Sequence, residues 1–261
     1  MTDVLSNDRV RAEIDPSRGA RLTSLVVDGF ELLTRAEDPT VDPDIADGCF
    51  PMVPWAGRVR DGRLVTAGRV HQLPRSDDGN ALHGLGHVAA WRAVSLGSYE
   101  LAVSDPWPTA GTARLAYQLL DDGIRIDLSW DDGTESPCSM GMHPWFPRRL
   151  PTGDEVELDL RTELMVERGG DGLPTGRLVS PTVGPWDDCF RVAGSPVLTW
   201  PGAIEVTLSS SSPWWVVYSD PSGTICVEPQ TTPPDSFEHP GLQPEGAWPR
   251  SIWCELHART L

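Results

Sequence analysis

The chain has 261 residues, long enough for a large core, and a formal net charge of -17 at pH 7 from 38 acidic against 21 basic side chains. That balance argues against a phosphate backbone or an anionic membrane surface as partner, and favours a small ligand that is uncharged or only locally charged. Every basic residue is arginine; without a lysine amine, Schiff-base, pyridoxal phosphate and class I aldolase chemistry are excluded.

The first eight residues have no basic and apolar leader pattern, and no apolar run along the chain reaches membrane-spanning length, so a soluble, cytoplasmic protein is expected. Period-two alternation dominates. Residues 113–119 and 124–130 alternate around Asp121-Asp122-Gly123, which reads as a hairpin whose Asp-Gly tolerates the positive φ of a tight primed turn. Residues 156–160 and 204–208 alternate likewise, while Trp214 to Tyr218 is apolar on both faces, as a central strand would be. Residues 229–246, rich in Pro and Gly, read as an ordered surface loop before a last strand over 248–256. No long helical stripe, linker or fixed-period repeat is visible. Many short antiparallel strands, punctuated by 25 glycines and 25 prolines, predict an all-β fold, a large antiparallel β-sandwich forming a single domain over residues 1–261.

Three distant apolar segments each enclose one titratable group: Ala81-Leu82-His83-Gly84-Leu85, Gly141-Met142-His143-Pro144-Trp145-Phe146 and Ile225-Cys226-Val227-Glu228-Pro229. A single such group would ordinarily be buried and satisfied by backbone. Two histidines and a glutamate, each beside a Gly or Pro, suggest instead an acid and a base converging on a small ligand. His83 and His87 have the i, i+4 spacing of a helical metal site, but Gly84 and Gly86 argue against the helix, so no metal is expected. The five cysteines form no C-x-x-C pair and read as reduced, packed thiols. His71, His239 and His257 read as surface or structural groups. Among the 11 tryptophans, Trp145 and Trp91 flank motifs and are candidates for an aromatic face against a sugar ring.

Together with residues 50–62 (Phe50-Pro51-Met52-Val53-Pro54-Trp55-Ala56-Gly57-Arg58 and onward) and 79–85, the 141–146 and 226–231 segments come in the order and spacing of the aldose 1-epimerases, which the chain resembles over nearly its whole length, beginning with residues 10–33. The resemblance implies a galactose mutarotase-like supersandwich that interconverts the α and β anomers of free aldoses. By the same resemblance Glu228 is the catalytic base and His143 the acid. His83, Arg58 and Asn80 are polar partners of the sugar, Trp145 stands where a tyrosine is common, and Asp187, with Asp188 beside it as the alternative, is the substrate-binding aspartate. Arg60 and Arg63 read as solvated arginines, and a turn or cap carboxylate is the ordinary reading of Asp187. Gly57 replaces an asparagine often found before the arginine, which removes one potential hydrogen bond to the sugar.

Opening a pyranose needs one proton taken from the anomeric hydroxyl and another given to the ring oxygen, which a carboxylate and an imidazolium do together without metal or cofactor. The nearby Glu228 is expected to keep His143 charged near neutral pH. Two other functions fit the same residues: a hexose 6-phosphate mutarotase, with arginines holding the phosphate, and a non-catalytic sugar-binding protein on the same fold. The oligomeric state is left open.

Overall fold

Alternation along the chain builds two large antiparallel sheets. In the computed structural model, which describes residues 2–35, 46–151, 153–219 and 223–261, the first sheet has 11 strands. From one edge it runs Asp3–Ser6, Val10–Asp15, Arg21–Val27, Cys49–Met52, Gly141–Pro147, Thr224–Gln230, Trp214–Tyr218, Asp187–Val192, Thr162–Arg168 and Pro174–Val179, with Phe30–Glu31 paired to Arg21–Val27. The second has 8 strands in the order Arg92–Ser95, Ser98–Val103, Gly111–Leu120, Gly123–Asp131, Ser251–Thr260, Ile204–Ser210, Val197–Trp200 and Glu157–Asp159.

The inner positions of both sheets meet in one apolar core that includes Ile14, Leu25, Ile126, Trp130, Trp200 and Trp215. Along Gly123–Asp131, Ile124, Ile126 and Leu128 are buried while Arg125, Asp127 and Ser129 are half-buried on the other face. Each such aliphatic side chain contributes about 1.5–3 kcal/mol of burial, so the period of two, repeated over many strands, is what closes the sandwich. All five cysteines are buried free thiols.

The 113–130 hairpin forms, with Leu120 opposite Gly123 and a two-residue connection. The reason for its glycine differs from the sequence-based expectation. Gly123 does not adopt a positive φ; a Cβ there would lie 1.7 Å from the Leu256 carbonyl oxygen on the neighbouring strand. Close backbone approach, not turn geometry, therefore requires glycine. Trp214–Tyr218 is central, hydrogen-bonded on both sides to Thr224–Gln230 and Asp187–Val192. The Pro- and Gly-rich segment after Gln230 runs through a short 3-10 turn, Pro240–Leu242, before the last strand begins at Ser251.

Two features place the chemistry. Gly141 pairs with Gln230 and Trp145 with Cys226, so His143 stands directly across from Glu228 on adjacent central strands, on the same face. A small two-stranded sheet, Arg58–Val59 with Ala81–Leu82, then folds over that face and delivers Arg58 and His83.

Candidate active site

Period two explains the floor of the site. On Gly141–Pro147 the residues facing one way include His143 and Trp145; on Thr224–Gln230 they include Thr224, Glu228 and Gln230; on Trp214–Tyr218, Val216 and Tyr218. All of these line one cavity of about 400 Å³, within the range of roughly 300–1,000 Å³ usual for small-molecule sites. Its walls come from the overlying segments: Gly57 and Arg58, Leu82 and His83, Gly172 to Pro174, and Pro234. Val166, Arg168, Asp187 and Asp188 close the far side.

At the floor, His143 Nε2 lies 3.4 Å from Glu228 Oε1, and both side chains are almost fully buried. Gln230 donates from Nε2 to Glu228 Oε2 at 3.3 Å, fixing the carboxyl from the other side. The His143 ring stacks on Trp145, centroids 5.0 Å apart and planes 11° apart, and meets His83 edge-on at 4.9 Å. Trp145 is thus a plate behind the imidazole, with Tyr218 against its edge. Glycine neighbours hold His83 in place. His83 itself has φ +56, its N–H donates to the Gly57 carbonyl at 2.9 Å, and Gly84 has its backbone against Val53, where a Cβ would come within 2.2 Å of an oxygen.

Burial decides the charges. It pushes His143 down to about 3, helped by the Arg21 guanidinium beneath Phe50. It also holds His83 well below the usual imidazole range, and it raises the Glu228 carboxyl well above its usual value, with the Asp187 charge adding to the rise. The expectation that Glu228 keeps His143 charged is therefore corrected: in so dry a contact, desolvation outweighs the attraction and favours the uncharged form of each group. Several polar atoms around the cavity, His83 Nδ1, His143 Nδ1, Trp145 Nε1 and Gln230 Oε1, are buried with no hydrogen-bond partner in the protein. Buried polar atoms are rarely left so, and their concentration at one cavity marks it as a place for a polar ligand.

The other candidates are placed as follows. Arg58 lines the cavity with Nε on Asp78 Oδ2 at 2.7 Å. Asp187 and Asp188 both line it; Asp187 accepts from Arg168 Nη2 at 3.1 Å, and Asp188 lies 3.8 Å from Arg168 Nη1. Asn80 is not among the lining residues. It accepts from the Asp61 N–H at 3.0 Å and belongs to the turn that holds Asp78 under Arg58. Trp91 lies in the main core with Nε1 donating to the Gly86 carbonyl, away from the cavity. His83 and His87 are on no helix, and their rings stand 6.3 Å apart. Among the described residues, His143, Cys226 and Glu228 bring potential ligand atoms within 4.8 Å of one another. The direct imidazole–carboxyl contact and the packing of Cys226 with Trp145 and Phe50 account for that grouping.

Residues 3–244 match the family model for aldose 1-epimerase. The chain belongs to the aldose 1-epimerase family. The uncharacterised Escherichia coli K12 protein YphB is 32% identical over 145 residues, which cover 47% of this chain and 46% of that one, so the match spans about half of that relative. A galactose mutarotase-like protein from Clostridium acetobutylicum superposes with a TM-score of 0.82 at 17% identity, covering 99% of this chain and 95% of its own. The GalM/aldose epimerase homologue from C. elegans gives 0.81 at 16% identity, covering 100% and 99%. At those identities the two structures speak for the fold. No helix among the described residues is long and apolar enough to cross a membrane.

Within this family member the glycine at position 57 has a local cause. Gly57 has φ +68, and a Cβ there would sit 2.7 Å from the Pro234 side chain. Pro234 fills the space that a side chain at 57 would take, and it makes that part of the wall apolar. Sequence reasoning missed Gln230, Arg168, Tyr218 and Pro234. Only Gln230 carried a usable signal, since two residues beyond Glu228 on a strand it had to share the same face. Arg168, Tyr218 and Pro234 reach the cavity through strand order and loop path, which local pattern does not encode.

Proposed function

We propose that this chain is an aldose 1-epimerase acting on an unphosphorylated aldose, with Glu228 and His143 exchanging one proton with the sugar at each end of the ring-opening step. The observation that supports it is the 3.4 Å contact between His143 Nε2 and Glu228 Oε1 at the bottom of a cavity where His83 Nδ1, His143 Nδ1, Trp145 Nε1 and Gln230 Oε1 are buried without a hydrogen-bond partner. In this reading a bound pyranose displaces the pair from its neutral resting state. Sugar hydroxyls that donate to Glu228 stabilise the carboxylate, and a ring oxygen that accepts from Nε2 stabilises the imidazolium, so the proton crosses from Glu228 to His143. Glu228 then takes the proton of the anomeric hydroxyl while His143 delivers its own to the ring oxygen. The ring opens to an aldehyde, leaving neutral His143 and protonated Glu228, the state that burial favours. Rotation about C1–C2 exposes the other carbonyl face, and the same transfers run backwards to close the ring. No proton is consumed overall.

The cavity's charges favour a neutral sugar over a hexose 6-phosphate. Both lining arginines among the described residues, Arg58 and Arg168, already hold carboxylates, and Asp187, Asp188 and Glu228 line the same space. A phosphate dianion would have to compete with these acids for its cations. Polarimetry of freshly dissolved α-glucose and α-galactose, and separately of a hexose 6-phosphate, tests both points. Acceleration is expected for a free aldose. Acceleration of the phosphorylated sugar alone would overturn the choice of substrate, and binding without acceleration of any sugar would support a non-catalytic sugar-binding protein instead.

A further inference from the structure

Arg60 does not line the cavity, yet it holds three of the segments that do. Its backbone N–H donates to Asp235 Oδ1 at 3.0 Å, while the Asp235 N–H donates to the Arg58 carbonyl at 3.0 Å, so the strand bearing Arg58 and the segment bearing Pro234 are pinned reciprocally. Its guanidinium reaches the third segment, with Nη1 on Asp171 Oδ2 at 2.5 Å and Nη2 on the Pro174 carbonyl at 3.3 Å. Its Nε stands 3.7 Å from Asp235 Oδ2, and His239 Nε2 is 3.5 Å from the same oxygen. The Asp235 side chain is completely buried; Oδ1 takes the Arg60 N–H, while Oδ2 has no hydrogen bond and faces Arg60 and His239 at those longer distances. From the far side, Arg168 Nε donates to the Gly172 carbonyl at 2.8 Å, so the 171–174 turn is held at both ends.

We propose that Arg60 and Asp235 are positioning residues that set the walls of the sugar cavity, and with them the affinity for substrate, without taking part in proton transfer. This rests on the aldose reading of the cavity. The acid–base pair sits on central strands of the large sheet and is held by Gln230 and Trp145, so it does not depend on Arg60. The walls do depend on it. Arginine suits the task because its planar fork reaches several acceptors at once, which a lysine ammonium would not do in one geometry. Asp235 also has φ +56, a left-handed conformation that Asp and Asn accept more readily than most residues.

Loosening the walls should weaken interactions made equally with substrate and transition state, which raises KM and leaves kcat in place. Steady-state mutarotation of glucose and galactose by the full-length chain is the test. Arg60→Met is expected to raise KM roughly tenfold with kcat within about twofold of wild type. Asp235→Ala should do the same, and Asp235→Asn, which keeps the acceptor for the Arg60 N–H, should recover most of the loss. The double variant Arg60→Met/Asp235→Ala should be little worse than either single one, because the two act as one unit. A merely structural role would instead lower kcat through loss of folded enzyme at unchanged KM, and that pattern, or an unchanged KM in Arg60→Met, would overturn the proposal. If Asp235→Ala does not fold, Arg60→Met, whose side chain is partly exposed, carries the test alone. Titration calorimetry with the same sugars separates the two readings. An inactive wild type whose sugar binding weakens in Arg60→Met would reject the epimerase reading and support this one, whereas a wild type that neither turns over nor binds either sugar would reject both.

Discussion

The outward face of the 8-stranded sheet and the cavity face of the 11-stranded sheet both carry polar residues at alternate positions, yet they treat them in opposite ways. On the outward face Arg125 is matched on its own strand by Asp127 at 2.8 Å and across strands by Glu255 at 2.8 Å, while His257 meets Asp122 at 2.8 Å. On the cavity face His143 and Glu228 meet in a dry contact that burial drives towards neutrality, and four polar atoms around them, His83 Nδ1, His143 Nδ1, Trp145 Nε1 and Gln230 Oε1, have no hydrogen-bond partner. Pairs of the first kind keep a solvated sheet soluble and contribute little each. The second kind is costly to a fold on its own, and its concentration in one cavity is what separates a candidate active site from a charged surface.

The sharpest way to break this contrast is to remove the cavity groups. Glu228→Gln and His143→Asn are each expected to reduce kcat by about 10² or more, since each removes one side of the proton exchange. Near-normal turnover in either would show that the pair does not carry the reaction. In the wild type the acid limb of the pH–rate profile should lie near pH 3, where His143 gains a second proton for the pair, instead of near the usual imidazole value of 6.5. The alkaline limb marks loss of the pair's only proton from Glu228, whose burial moves that limb up from the ordinary carboxylate range. An acid limb near 6.5 would mean that the imidazole is solvated in the working enzyme.

A second experiment sharpens the same contrast through stability. Burial holds His87 at about 4, against 6.5 when unfolded. The unfolded chain therefore binds the extra proton first as pH falls, and stability is lost between pH 6.5 and 4 and is fully present above that window. The difference corresponds to roughly 3 kcal/mol at the acid end. His87→Gln removes this dependence, so the stability of the wild type relative to the variant in thermal melts should fall as the pH is lowered from 7.5 to 4. Parallel curves would refute the burial argument. The smallest effect is expected on the outward face: Arg125→Gln should change stability by about 1 kcal/mol or less and leave kcat and KM unaltered. A catalytic loss there would erase the distinction between the two faces.

Much of the fold was legible from a period of two and from one short run apolar on both faces. The 113–130 hairpin follows from alternation and the central Trp214–Tyr218 strand from being apolar on both faces, and the sandwich follows from the number of such short strands. His143 and Glu228 were legible as ionisable groups in apolar surroundings, and the family resemblance gave each a role. The hairpin glycine and the charge of His143 were misread. Gly123 answers to the Leu256 backbone more than 130 residues away, and the His143 proton answers to how completely its strand neighbours exclude water.

The sequence by itself determined the all-β architecture, the lack of any lysine amine and the presence of His143 and Glu228 as ionisable groups in apolar segments, because strand period and residue type are local properties. Only the tertiary structure decided that burial pushes both members of the pair towards their uncharged forms, that Asn80 and Trp91 lie away from the cavity, that Pro234 takes the place of a side chain at Gly57, and that Arg60 spans three walls. Each of these depends on distances between segments far apart in the chain. Desolvation and hydrogen-bond geometry are set by those distances, and no local pattern carries them.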